Sequence, residues 1–183
     1  MYKRIIYIFA FLLLSMSNTY GQNITHGYGA NLDFYVGTWR YTNTTTKEEF
    51  TIKLRKSIHT AYNAKKDCVV GAYTYKKNGV VILDNMNEFL IDKAVGLPGP
   101  IYASNAKANI SDSNPNELYL SVRDYGLVSD GVPKYGIGSI IIVSTSNPKK
   151  IRWILEDPEG VYIQGHWLPG FSIPTDAIFT KID

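Results

Sequence analysis

Apolar and polar residues alternate with a period of two through most of this chain, and that period constrains the fold more than any other feature. Phe50, Ile52 and Leu54 alternate with Thr51, Lys53 and Arg55. Leu118, Leu120 and Val122 alternate with Tyr119, Ser121 and Arg123, and Ile151, Trp153 and Leu155 with Arg152 and Glu156. A strand points successive side chains to opposite faces, so each apolar set lines one face of a sheet. β-branched and aromatic residues dominate these runs, as pleated surfaces favour. Turn chemistry separates them. Asn78-Gly79 tolerates positive φ at both positions and fits a two-residue hairpin. Asp157-Pro158-Glu159-Gly160 has the pattern of a type I turn and is expected to join 150–156 to 161–164. Ser146-Asn147-Pro148-Lys149 is expected to join 139–145 to the Trp153 strand.

About eight short strands joined by turns make a barrel or a sandwich. The expectation is therefore an all-β, antiparallel domain with at most one short helix. The candidate for that helix is 84–94, where Met86, Phe89 and Leu90 have helical spacing. Val80-Val81-Ile82-Leu83 and Ile140-Ile141-Ile142-Val143 are apolar on both faces, which predicts strands covered on both sides or lining a cavity. Residues 94–116 read as the loosest region, a long connection of the kind that serves as a lid. Residues 124–138 read as a second polar, glycine-bearing excursion.

The N-terminus has a different pattern. Met1-Tyr2-Lys3-Arg4 is basic, 5–16 is almost unbroken apolar sequence, and Ser17 to Gly21 is polar and small. That order is a signal peptide's, and the run is shorter than the roughly 20 residues of a spanning helix. Cleavage is expected between Gly21 and Gln22, leaving 22–31 as a flexible mature N-terminus and 32–183 as one domain. The expected location is the periplasm or the exterior, with no membrane span in the mature form.

Of 19 Lys+Arg and 16 Asp+Glu, Lys3 and Arg4 leave with the signal. The remaining 17 against 16 argues against nucleic acid, whose binders cluster positive charge. The single cysteine, Cys68, excludes an internal disulfide and reads as a small buried hydrophobe.

Phe34-Tyr35-Val36-Gly37-Thr38-Trp39-Arg40-Tyr41, read as the opening of the first strand, resembles the G-x-W start of lipocalin-like barrels. That resemblance implies that Gly37 permits a sharp strand entry, that Trp39 plugs the closed end, and that Lys181 lies over its indole. It tips the choice towards a lipocalin-like β-barrel, with a β-sandwich as the alternative. The signal, this strand, the Asn-Gly hairpin, 150–155 and the ending 173–181 also look like a family of small exported proteins from Bacteroidetes, known as a domain of unknown function. That likeness implies a barrel and export, and no activity.

Catalytic patterns are missing. His26, His59 and His166 have no metal-ligand spacing, and no metal or cofactor is expected. Ser139 is not in a nucleophile elbow. Asp112, Asn114 and Asn116 start like a calcium loop, but Glu117 and Arg123 stand where glycine and glutamate are needed. Glu156, Asp157 and Glu159 flank a turn, which accounts for their polarity. Aromatic surface remains, supplied by Tyr28, Tyr35, Tyr41, Tyr62, Tyr73, Tyr75, Tyr102, Tyr119, Tyr125, Tyr135 and Tyr162. The first expectation is a non-enzymatic domain holding a small apolar or amphipathic ligand inside the barrel, lined by Tyr41, Tyr73, Tyr119 and Trp153. The alternative is a glycan- or protein-binding module using an exposed aromatic face. A third is an enzyme with His166 as acid or base.

Overall fold

The computed structural model describes residues 23–25, 31–61, 64–89, 99–104, 114, 116–158 and 168–183. Residues 1–21, read above as a signal peptide, and His26, Asp112, Glu159 and His166 lie outside them. The strands are β1 Asn23–Thr25, β2 Gly37–Asn43, β3 Glu48–Ala61, β4 Ala64–Lys77, β5 Val80–Asp84, β6 Ile101–Ser104, β7 Glu117–Ser129, β8 Val132–Ser144, β9 Lys150–Glu156 and β10 Asp176–Lys181. A one-turn helix, α1 Leu32–Tyr35, and a 3-10 turn, Met86–Glu88, complete the elements.

Eight strands close into an antiparallel ring in the order β2, β3, β4, β6, β7, β8, β9, β10. The ring shuts where Thr180 meets Arg40 and Lys181 meets Trp39. Closure gives every strand of the ring a paired neighbour on both sides, which distinguishes a barrel from a sandwich. β5 lies off the ring and pairs with the end of β4, while β1 runs parallel to its start.

Register assigns the faces. Trp39 opposes Ile52, Phe50 opposes Tyr75, Ile101 opposes Val122, Leu118 opposes Ile140, and Trp153 opposes Ala177. All of these point inward and form one continuous core. Phe50 is its hub: the rings of Tyr73, Tyr75, Trp153 and Phe179 meet it edge-on at 5.6, 6.1, 5.6 and 5.4 Å. Each such pair contributes about 0.5–1.5 kcal/mol beyond area burial.

Five sequence readings need correction. Phe34 to Val36 is not strand: Asn31 caps α1 by accepting from the Asp33 N–H at 3.1 Å, and β2 starts only at Gly37. Residues 124–138 are a long hairpin rather than an excursion, because Asp130-Gly131 supplies φ of 51° and 77° for a tight turn. The 94–116 region contains β6, where Ile101 and Ala103 insert beside Gly71 and Val69. Val80, Val81 and Ile82 are 62%, 50% and 52% exposed, because β5 stands outside the ring. In the 84–94 stretch only the single 3-10 turn forms among the described residues.

Asn78-Gly79 is the expected hairpin, with φ of 54° and 77°. The connection 145–149 joins β8 to β9, as its turn chemistry predicts.

Candidate functional site

α1 packs into the core at the start of β2, where Phe34, Tyr35 and Trp39 are buried together. Trp39 is fully buried, and its Nε1 donates to the Tyr35 carbonyl at 2.7 Å. Lys181 Nζ lies 5.5 Å from the indole centroid and donates to the Val36 carbonyl at 2.6 Å. The ammonium thereby gains a cation–π contact and a hydrogen bond together. Gly37 has φ of 124°, and a Cβ there would fall 2.5 Å from Asp183 Oδ1 and 2.7 Å from Lys181 Cε. Both conformation and space demand glycine. Asp183 Oδ1 accepts from the Thr38 N–H at 2.7 Å, which ties the C-terminus to the strand entry.

The four residues singled out for a ligand do not form one surface. Tyr73 and Trp153 are fully buried in the core. The Tyr73 hydroxyl donates to the Arg123 carbonyl at 2.8 Å and accepts from the Tyr125 N–H at 3.2 Å. Burial pushes its pKa up. Trp153 Nε1 donates to the Pro174 carbonyl at 3.1 Å. Tyr41 points inward, half-buried, with its hydroxyl accepting from Asn43 Nδ2 at 3.2 Å and its ring 6.1 Å from Phe179. Tyr119 points the other way. It opposes Ser104 and Ser139 on the outside of the wall. The alternation of Leu118, Leu120 and Val122 already implies this, since a residue between inward neighbours faces outward.

The outer face of β6, β7 and β8 is where tyrosines do gather. Tyr102 opposes Ser121, Ser121 opposes Ile137, Tyr119 opposes Ser139, and Arg123 opposes Tyr135. Directly opposed residues share a face, so Tyr102, Tyr119 and Tyr135 stand on three adjacent strands with Ser121 and Arg123 among them. Tyr135 is 41% exposed and Ile137 36%. The hydroxyls of Ser121 and Tyr135 are 3.0 Å apart and share a hydrogen bond. At the margin, the His59 ring meets Tyr102 edge-on at 5.3 Å. Burial is the main cause of a raised Tyr102 pKa. Sequence reading named these tyrosines without grouping them, because the pairing of β6 with both β4 and β7 is not a local property.

Among the described residues no three His, Cys, Asp or Glu side chains group to hold a metal, and no helix is long and apolar enough to cross a membrane. Cys68 is buried, with Sγ 3.3 Å from the Ser57 carbonyl. Asp157 pairs with Lys134 Nζ at 2.5 Å.

The chain matches no curated protein and no solved structure. A family model does match, across residues 1–182. The chain with this closed eight-stranded barrel thus belongs to a family of unknown function, DUF6705.

Proposed function

We propose that the protein is an exported, non-enzymatic lipocalin-like binding module that meets its partner on the tyrosine face of β6, β7 and β8. The observation that carries this reading is the register that puts Tyr102, Tyr119 and Tyr135 on the outer side of the wall with Ser121 and Arg123; Tyr135 is the exposed ring, and Tyr102 and Tyr119 are half-buried beside it. Ring faces suit the apolar side of a sugar ring or a flat patch of another exported protein. The neighbouring hydroxyls and guanidinium supply hydrogen bonds that fix orientation. Export is supported by the basic, apolar and small-polar order of residues 1–21.

The competing reading is a small apolar or amphipathic ligand deep inside the barrel. It needs room where the rings of Phe50, Tyr73, Trp153 and Phe179 already meet.

Two measurements test the proposal. Expression in an exporting host followed by N-terminal sequencing should return Gln22 as the first residue; an intact Met1 in the exported fraction would sink the export reading. The mature domain should bind a polysaccharide array or an exported protein partner, and Tyr135→Ala should weaken binding about tenfold, the loss of one well-placed aromatic contact, without lowering the melting temperature. Binding that survives Tyr135→Ala and Tyr119→Ala together, or an apolar molecule retained by wild-type protein in native mass spectrometry, would refute the outer-face assignment.

A further inference from the structure

The two barrel ends are closed by different chemistry. At the Trp39 end the plug is a fully buried indole. At the other end the segment 168–175, between β9 and β10, lies across the mouth and is held by two charged side chains. The Asp124 carboxylate accepts from the Ser172 N–H at 2.6 Å and from the Ser172 hydroxyl. Lys134 Nζ donates to the Leu168 carbonyl and pairs with Asp157 at 2.5 Å. Both charges are well sheltered: Asp124 is fully buried and the Lys134 side chain is 7% exposed.

Beneath this strap the wall is hollowed. Gly136 faces inward on β8, opposite Val122. A Cβ on it would fall 2.7 Å from both Leu155 Cδ1 and Phe171 Cε1. The Phe171 ring therefore occupies the volume that a side chain at 136 would fill. The same ring lies 4.6 Å from Lys134 Nζ. The strap thus presents Lys134 with an aromatic ring and an oxygen acceptor, held only a few residues apart.

Those two features are also the features of a small aromatic anion. We propose that the slot over Gly136, with Lys134 at its edge, is a binding site for a small aromatic carboxylate or sulfonate, and that Phe171 and the Leu168 carbonyl occupy it in the closed form. The ligand's ring replaces Phe171 between Gly136 and Leu155. Its anionic group replaces the Leu168 carbonyl on Lys134, trading a neutral acceptor for a charged one, which makes the stronger hydrogen bond; repulsion from Asp157, the ammonium's other partner, offsets part of that gain. Residues 168–172 move away together by breaking the Ser172 bonds to Asp124, while Ile173 stays buried and Pro174 and Thr175 stay held by Trp153 Nε1 and the Leu155 N–H. The site lies on the inner side of β8, where Lys134 and Gly136 flank the outward-facing Tyr135, and the Gly136→Val arm below distinguishes it from the tyrosine face.

The probe is 8-anilinonaphthalene-1-sulfonate, titrated into the mature chain and read by fluorescence, with a thermal melt on every variant. Phe171→Ala empties the slot and should raise saturable emission at least about fivefold over wild type, with one site per chain, while the melt stays cooperative. Adding Gly136→Val, which fills the slot from the wall, should abolish that gain. Adding Lys134→Met instead should weaken the probe about tenfold, the cost of one charge-assisted contact. A cooperative Phe171→Ala protein that ignores the probe, or a gain that survives Gly136→Val, would overturn the proposal. If Phe171→Ala loses its cooperative melt, Ser172→Ala decides: it loosens the strap and leaves the slot intact, so it must raise probe binding severalfold, and wild-type behaviour would overturn the proposal equally.

Discussion

Replacing Tyr73 with Phe isolates one oxygen atom whose position explains how the barrel wall holds together. β4 pairs with β6 only at Val69, Val70 and Gly71, and beyond that level it pairs with β5. β7 continues past β6, so its edge beyond the Arg123 N–H, which donates to the Pro100 carbonyl, has no strand beside it in the ring. The Tyr73 hydroxyl takes that place. It donates to the Arg123 carbonyl at 2.8 Å and accepts from the Tyr125 N–H at 3.2 Å. Tyr73→Phe keeps the ring and its edge-on contact with Phe50 and removes only these bonds. A buried backbone group left without a partner costs about 1–3 kcal/mol. Two adjacent groups share relaxation, so the expected loss is about 2–4 kcal/mol in total. With an m-value of about 2 kcal/mol per molar urea, the midpoint should fall by about 1–2 M. The assay is urea unfolding of the chain followed by tryptophan fluorescence, paired with amide hydrogen exchange. The Tyr125 amide should lose protection far more than the amides of β9. A midpoint within about 0.3 M of wild type, with the Tyr125 amide still protected, would show that this hydroxyl does not complete the wall.

Further outcomes follow from other contacts. Gly37→Ala forces a Cβ against Asp183 and Lys181 at a left-handed φ, and should lower stability by about 2 kcal/mol or more, or roughly 4–8 °C in a thermal melt; an unchanged melt would contradict the entry geometry. Lys181→Met keeps the aliphatic stem but loses the ammonium over Trp39 and the bond to Val36, and should cost about 1–2 kcal/mol by urea unfolding. Glu48 has a lowered pKa, caused first by the Thr46 hydroxyl and helped by the hydroxyl of Tyr75 and by Lys77. A lowered folded-state carboxylate pKa stabilises above the unfolded value and is lost as pH falls through the folded value. Stability should therefore decline on acidification below the ordinary glutamate range, and Glu48→Gln should flatten that part of the profile; a profile identical to wild type would refute the assignment. Tetranitromethane should nitrate Tyr135 well before Tyr73 and Tyr35, which are fully buried, as peptide mapping would show.

Much of the fold is local in origin and was legible in the chain itself. The Phe50–Leu54, Leu118–Val122 and Ile151–Leu155 alternations specify strands and their buried faces because a strand's period of two is a backbone property. Asn78-Gly79 specifies a hairpin because positive φ is cheap at those residues. The same alternation sets the outward direction of Tyr119, whereas a lined cavity would need it inside.

What remained open depends on contacts between residues far apart in the chain. Barrel rather than sandwich is decided where Lys181 meets Trp39, and no window of sequence contains both. The exposure of Val80, Val81 and Ile82 was illegible for the same reason: their composition is that of a buried strand, but the far side of β4 is shared between β5 and β6, and only β6 enters the ring. The tyrosine face and the strap over Gly136 are likewise products of register and closure. Periodicity tells each strand which side is apolar; only the closed ring determines which strands become neighbours, and therefore which polar groups meet.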